Sequence, residues 1–148
     1  MRAIYEEGIR GGNATFETET PPWETWDAAH PTVRLVAEQD GSVLGWAALS
    51  PVSPRRCYGG VGDVSVYVAE EARRAGLGRA LLEELVERSE AGGYWTLTAG
   101  VFPENEASLR LHRSCGFREV GVRERLGESG GAWRDVVLLE RRSTAVGA

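Results

Sequence analysis

Apolar residues recur along the chain with two different periods, and the changes of period mark its elements. Ala3, Ile4, Tyr5 and Ile9 form a helical stripe that stops at Gly11-Gly12-Asn13, and Trp23 and Trp26, three apart behind Pro21-Pro22, predict a second short helix. Two runs rich in β-formers, 33–38 and 43–50, flank Gln39-Asp40-Gly41-Ser42, and the Asp-Gly pair predicts a tight antiparallel hairpin. After a loop around 51–60, Val64, Val66 and Val68 alternate with Ser65 and Tyr67, the pattern of a strand whose two faces meet different surroundings.

The period then changes to that of a helix. Over 76–91, Leu77, Leu81, Leu82, Leu85 and Val86 share one face, opposite Glu83, Glu84, Glu87 and Arg88. A strand over 95–101, a helix over 106–114 closed by Gly116, and a last hairpin pairing 117–125 with 133–141 follow. This order predicts an α/β fold with a mixed, mostly antiparallel sheet rather than a fully parallel one.

The 148 residues suit one domain, expected over 1–142, with 143–148 expected to be a disordered tail. Hydrophobic residues at 42% supply a core, and a net charge of -5 argues against affinity that depends on nucleic-acid phosphates. Apolar runs such as 136–139 fall far short of the roughly 20 residues that span a bilayer, and the mixed-charge start does not resemble a signal peptide. A cytoplasmic protein with no membrane or nucleic-acid partner is expected. Cys57 and Cys115 are expected to be reduced thiols. With His30 and His112 as the only histidines, no metal site is expected.

The chemistry concentrates in Arg73-Arg74-Ala75-Gly76-Leu77-Gly78-Arg79, between the alternating strand and the long helix. Glycines at a helix start let an anion approach the unpaired amides there, and the helix dipole favours negative charge. A Gly-x-Gly alone also suits a plain helix start with solvated arginines. A dinucleotide fold would want glycine where Leu81 stands, and the Gly-Lys-Ser/Thr of a nucleotide triphosphatase loop is absent.

At this loop the chain resembles the GNAT acyltransferase superfamily, whose acetyl-CoA signature of Arg or Gln, two residues, Gly, one residue, Gly or Ala is matched by Arg73, Gly76 and Gly78. The resemblance extends to Ser65-Val66-Tyr67-Val68, to the run from Asn105 to His112, and to Cys115-Gly116-Phe117. Asn13-Ala14-Thr15-Phe16-Glu17 and Gly131-Ala132-Trp133-Arg134-Asp135 look more narrowly like its phosphinothricin acetyltransferase group. There are departures. The family carries a first strand ahead of the opening helix, whereas this chain starts within that helix, so the strand is lost or the start lies upstream. The group commonly has Glu at Asp63, and some members have His at Arg134.

The resemblance implies a GNAT fold with a central splay in the sheet. It implies acetyl-CoA as cosubstrate, with Val66, Tyr67 and Val68 along the pantetheine arm, Arg73, Arg74, Ala75, Gly76, Leu77, Gly78 and Arg79 around the pyrophosphate, and Asn105 and Ser108 beside the arm or capping their helix. The acceptor implied is the α-amine of phosphinothricin, methionine sulfoximine or a related small amino acid, and a homodimer is implied too. A weak acyl-CoA-binding module, or an acetyltransferase for a peptide amino terminus or a polyamine, are the competing readings.

Asp63 matches the family's carboxylate as general base; a strand-start carboxylate bonded to a loop is the other reading. His112 stands where many members have the tyrosine that protonates the departing thiolate, or it is a satisfied helix-face histidine. Arg55 or Arg56 would bind an anionic group of the acceptor, with Phe16, Tyr58 and Trp133 as apolar walls. Direct attack by the amine needs no protein nucleophile, so Cys115 reads as structural.

Overall fold

The computed structural model describes residues 1–148. Its elements follow the order α1 (Arg2–Gly11), α2 (Trp23–Ala29), β1 (Arg34–Gln39), β2 (Ser42–Pro51), β3 (Val61–Val68), α3 (Leu77–Ala91), β4 (Thr96–Val101), α4 (Glu106–Ser114), β5 (Arg118–Ser129) and β6 (Ala132–Arg142). All six strands form one sheet in the order β1-β2-β3-β4-β6-β5, in which β3 and β4 are the one parallel pair. The β1–β2 turn places both Asp40 and Gly41 at positive φ, 51° and 80°, as a two-residue hairpin with right-handed strand twist requires.

Each face of the sheet is covered by a different pair of helices. On one face Leu81, Leu82, Leu85 and Val86 of α3 pack with Leu49, Val64, Leu97 and Leu139 of the strands, and Leu109 of α4 and Phe117 extend that core. The outer side of α3 carries the Arg79–Glu83 and Arg88–Glu84 pairs, both 2.7 Å and both exposed to water, which screens them, so the buried face and not these pairs holds the helix in place. On the other face Ile4 and Trp26 close over Trp46, Ala48 and Ala69. There Trp46 and Tyr67, directly paired across β2 and β3, stack at 4.7 Å, and Tyr5 leans on Tyr67 at 5.0 Å.

Two expectations are corrected. The final hairpin does not open into a loop between 125 and 133: β5 continues to Ser129 and turns through Gly130 and Gly131, both at positive φ. A bulge makes this possible, because the pairing steps from Arg123↔Val136 to Gly127↔Arg134 with extra residues on β5. The tail is also tied down rather than disordered. The Ser143 hydroxyl donates to Glu90 at 2.8 Å and accepts the N–H groups of Ala145 and Val146, while the Arg142 guanidinium donates to the carbonyls of Val146 and Gly147. A buried anchor at the first tail residue supplies the local partners that composition does not announce. No helix is long and apolar enough to cross a membrane.

The feature that positions the site is the shortness of the β3–β4 ladder. It comprises Val61↔Thr96, Gly62↔Leu97 and Asp63↔Thr98, then ends. Past Asp63, β3 continues with β2 as far as Gly45↔Val68, and β4 continues with β6 as far as Val101↔Val137. The two strands therefore part inside the sheet.

Candidate active site

Bonding on β3 alternates sides, and the alternation tells which main-chain groups face the gap. The Ala69 N–H donates to Leu44 at 2.7 Å and Val61 accepts from Val52, so odd-numbered positions serve β2. Gly60 accepts the N–H groups of Trp95 and Thr96 on the β4 side, so even-numbered positions serve β4. Beyond the end of the ladder, the main-chain groups of Val66 and Val68 thus face the opening without a partner strand. Tyr67, expected to share this role, is corrected: its main chain faces β2, and its ring packs under α1.

The start of α3 lies beside this gap. Gly76 is its N-cap at φ 79°, in the left-handed region that glycine adopts without strain, and it offers no side chain to cap the helix. The first main-chain bond into α3 is from the Ala80 N–H to Gly76, at 3.1 Å. The N–H groups from Arg74 to Arg79 consequently have no acceptor within the protein. A Cβ at Gly78 would begin 3.4 Å from Leu111 and 3.6 Å from Val68, in ordinary contact with both, so a small side chain fits there and a bulky one would fill the space between β3 and α4.

On the other side of the gap a cleft of ≈ 680 Å³ is lined by Asp63, Thr98, Arg123, Phe16 and the first residues of α4, Asn105 and Ser108. Asp63 is the last β3 residue in the ladder, and Thr98 opposite donates its hydroxyl to the carboxylate at 2.8 Å. Burial pushes the Asp63 carboxyl up from its ordinary value; the Thr98 hydrogen bond and the nearby Arg123 charge pull the other way without cancelling it.

The cleft wall is a loop latched from three sides. Asn105 caps α4 by accepting the Ser108 N–H at 3.2 Å, and its amide donates to the Asn13 carbonyl at 3.0 Å. Arg134 of β6 donates to the Gly12 carbonyl and, at 2.8 Å, to the Asn13 side chain, and lies 3.7 Å over the Phe102 ring. Phe16 meets Phe102 edge-on at 4.8 Å and rests against Gly127, where a Cβ would come within 2.8 Å of its ring. The β5 bulge that brings Gly127 here is pinned by the Asp135 carboxylate, which accepts the Arg125 N–H at 2.8 Å.

The remaining expected residues stand elsewhere. His112 is buried; its Nδ1 donates to the Ser108 carbonyl at 2.7 Å, its ring meets Phe117 edge-on, and burial pushes its pKa down. It does not line the cleft. Arg55 lies over the Tyr58 ring at 5.5 Å on the outer loop, both exposed, and Trp133 is 64% exposed on the final hairpin; none of the three lines the cleft. Burial pushes the Cys115 thiol up, so it is not a thiolate at neutral pH. Sequence reasoning missed Thr98, Arg123 and the latching roles of Asn13, Arg134 and Asp135. The last three lay within runs already noticed, but nothing local shows what they hold.

A ligand suited to this place is extended where it meets the free edge of β3 and anionic where it meets the amides of α3. Coenzyme A has that form, and the free groups fit it without displacing any bond in the protein. The fold and site thus define an acyl-CoA-dependent transferase. The family model described as "Acetyltransferase (GNAT) family" matches residues 3–117, and the chain belongs to this family. It is an acetyl-CoA-dependent N-acetyltransferase.

Among relatives, the chain is 42% identical to a phosphinothricin N-acetyltransferase of Alcaligenes faecalis, over 95% of this chain and 75% of that protein. It is 33% identical to an L-methionine sulfoximine/L-methionine sulfone acetyltransferase of Pseudomonas aeruginosa, over 93% and 84%. The crystal structure of a phosphinothricin acetyltransferase from Sinorhizobium meliloti in complex with acetyl-CoA superposes with a TM-score of 0.89 at 30% identity, covering 99% of this chain and 83% of that one.

The raised Asp63 pKa has a sign that can be checked. The folded state disfavours the anion, so the stability present below the ordinary carboxyl value of 3.8 is lost as the pH rises through the higher folded value. Asparagine keeps an acceptor for Thr98 without the charge. Asp63→Asn is therefore expected to melt above the wild type at pH 7, with the difference shrinking as the pH falls towards 4. A lower melting temperature at pH 7 would show that Thr98 and Arg123 outweigh the cost of burial.

Proposed function

We propose that the enzyme acetylates the α-amine of a small amino acid of the phosphinothricin or methionine sulfoximine type, with Asp63 as general base. The observation that carries this reading is the partly buried Asp63 carboxylate, fixed by Thr98 at the point where β3 and β4 part. In this reading the free groups of Val66 and Val68 hold the pantetheine arm, and the amides from Arg74 to Arg79, with the Arg73 and Arg74 side chains nearby, hold the pyrophosphate. Acetyl-CoA supplies the activated thioester carbonyl. The names and extents of the two relatives above support the acceptor class.

An amino-acid amine arrives as an ammonium and must lose a proton before it can attack. Burial makes Asp63 a better proton acceptor than an exposed carboxylate, and Thr98 holds the accepting oxygen in place. Phe16, fixed against Phe102 and Gly127, closes one wall against water. Neither cysteine is needed as a nucleophile: Cys57 is exposed on the outer loop and Cys115 is a neutral thiol. His112, buried and bonded to the Ser108 carbonyl, fits the satisfied helix-face histidine, the second of its two readings, better than a donor to the departing thiolate.

We also propose a cytoplasmic homodimer. The final hairpin exposes Val120, Val122 and Trp133, the last two more than half accessible, and a second copy of this chain is the occupant that the family likeness favours. Light scattering behind size exclusion is expected to give about twice the 16.1 kDa chain mass, and Trp133→Glu to shift it to the monomer; a wild-type monomer at micromolar concentration would end this part.

The acceptor is tested by thiol release from acetyl-CoA with a panel of amino acids, their phosphinate and sulfoximine analogues, peptides and polyamines. Turnover is expected with the amino-acid analogues, and Asp63→Asn is expected to lower kcat about 10²- to 10⁴-fold with little change in the KM for acetyl-CoA. Activity confined to peptides or polyamines would replace the proposed acceptor. Gly78→Trp, which fills the helix mouth, is expected to raise the KM for acetyl-CoA at least about tenfold in a folded protein; an unchanged KM would remove the loop from the cofactor site.

A further inference from the structure

We propose that Arg123 recognises the carboxylate of the acceptor and so makes the enzyme selective for α-amino acids over amines that lack an anion. The inference rests on the amino-acid reading above and identifies the residue that would enforce it. Arg55, the sequence-based choice for this task, lies on the outer loop over Tyr58, away from the cleft.

Place and pairing together single out Arg123. The chain has 17 arginines and no lysine, and Arg10, Arg55, Arg56 and Arg125, which also enter no ion pair, lie outside the cleft lining. Arg2, Arg34, Arg79, Arg88, Arg110, Arg113, Arg118, Arg134 and Arg141 are engaged in ion pairs, and Arg142 holds the tail. Arg73 and Arg74 belong to the α3 mouth. Arg123 is the one arginine lining the cleft, and its guanidinium enters no ion pair or hydrogen bond.

Asp63 and Arg123 line the same cleft, Asp63 held by the Thr98 hydroxyl at 2.8 Å and Arg123 paired with no carboxylate. The cleft therefore presents a carboxylate and a guanidinium as separate partners, the complement of a zwitterion whose ammonium and carboxylate sit on one carbon. With the ammonium at Asp63, the acceptor's carboxylate falls on the Arg123 side, where a planar guanidinium takes two oxygens at once. Leu126 and Phe16, also in the cleft lining, leave an apolar wall for the acceptor's side chain.

The backbone holds Arg123 in this role. It is the last residue of β5 in regular register before the bulge, paired with Val136, and the bulge is fixed by the Asp135 carboxylate on the Arg125 N–H. Such bulges re-aim side chains towards sites.

The test compares L-methionine sulfone with its carboxamide, in which the anion is removed and the amine kept. The wild type is expected to prefer the acid by at least about tenfold in kcat/KM. Losing a charge-assisted pair typically weakens binding about 10- to 150-fold, so Arg123→Gln is expected to raise the KM for the acid by that order. The preference should then collapse, with kcat and the KM for acetyl-CoA changing far less. Arg123→Lys, which keeps the charge but not the fork, should recover part of the preference and serves if the glutamine variant folds poorly.

Retention of the acid preference in a folded Arg123→Gln, or its loss in Arg55→Gln instead, would overturn the assignment while leaving the amino-acid reading intact. A wild type that acetylates neither compound nor any amino acid in the panel would overturn that reading, and this inference with it.

Discussion

The parting of β3 from β4 after Asp63 is the constraint on which the rest depends. In a sheet, strand groups that lose a neighbour must find water or another partner, and β3 meets this loss at its inner edge, not at the rim. The opening is kept by what surrounds it: β4 is committed to β6 for its whole length, and the start of α3 sits between Val68 and Leu111. An interior edge can be extended by a ligand in the way an outer edge is extended by a peptide. The same parting leaves Asp63 at the fork, the last paired residue of β3, so the free strand edge and the cleft carboxylate arise from one feature of the sheet.

Electrostatics divides the site into two halves of different character. At the α3 mouth, attraction comes from main-chain amides and a helix end, groups that cannot be titrated away. In the cleft it comes from ionisable side chains whose balance matters. Burial raises the Asp63 carboxyl from its ordinary value, while the Thr98 hydrogen bond and the Arg123 charge oppose that rise without cancelling it. Asn105 at the α4 cap and Arg134 of β6 both hold Asn13 and so close the α1–α2 loop against two different elements.

The structural roles of the family-like runs also become distinct. The run containing Trp133, Arg134 and Asp135 divides its work: Trp133 faces outward on the hairpin, Arg134 latches the loop, and Asp135 pins the bulge that makes room for Phe16 at Gly127. The histidine of α4 is satisfied by its own helix four residues back, as a buried imidazole within one turn of a carbonyl often is.

The sequence by itself determined the elements and the open start of α3. Period-two and helical stripes placed the β3 strand and α3, the Asp-Gly pair placed the first turn, and Gly76 with Gly78 announced a helix mouth open to an anion, because each of these signals is written in neighbouring residues. Where the chain bulges at 124–126, that no strand pairs with the inner edge at Val66 and Val68, and that Arg123 rather than Arg55 lines the cleft with Asp63 were decided only by the tertiary structure. These depend on register and on contacts between residues tens of positions apart, and a one-residue change of register on a strand sends every later side chain to the opposite face.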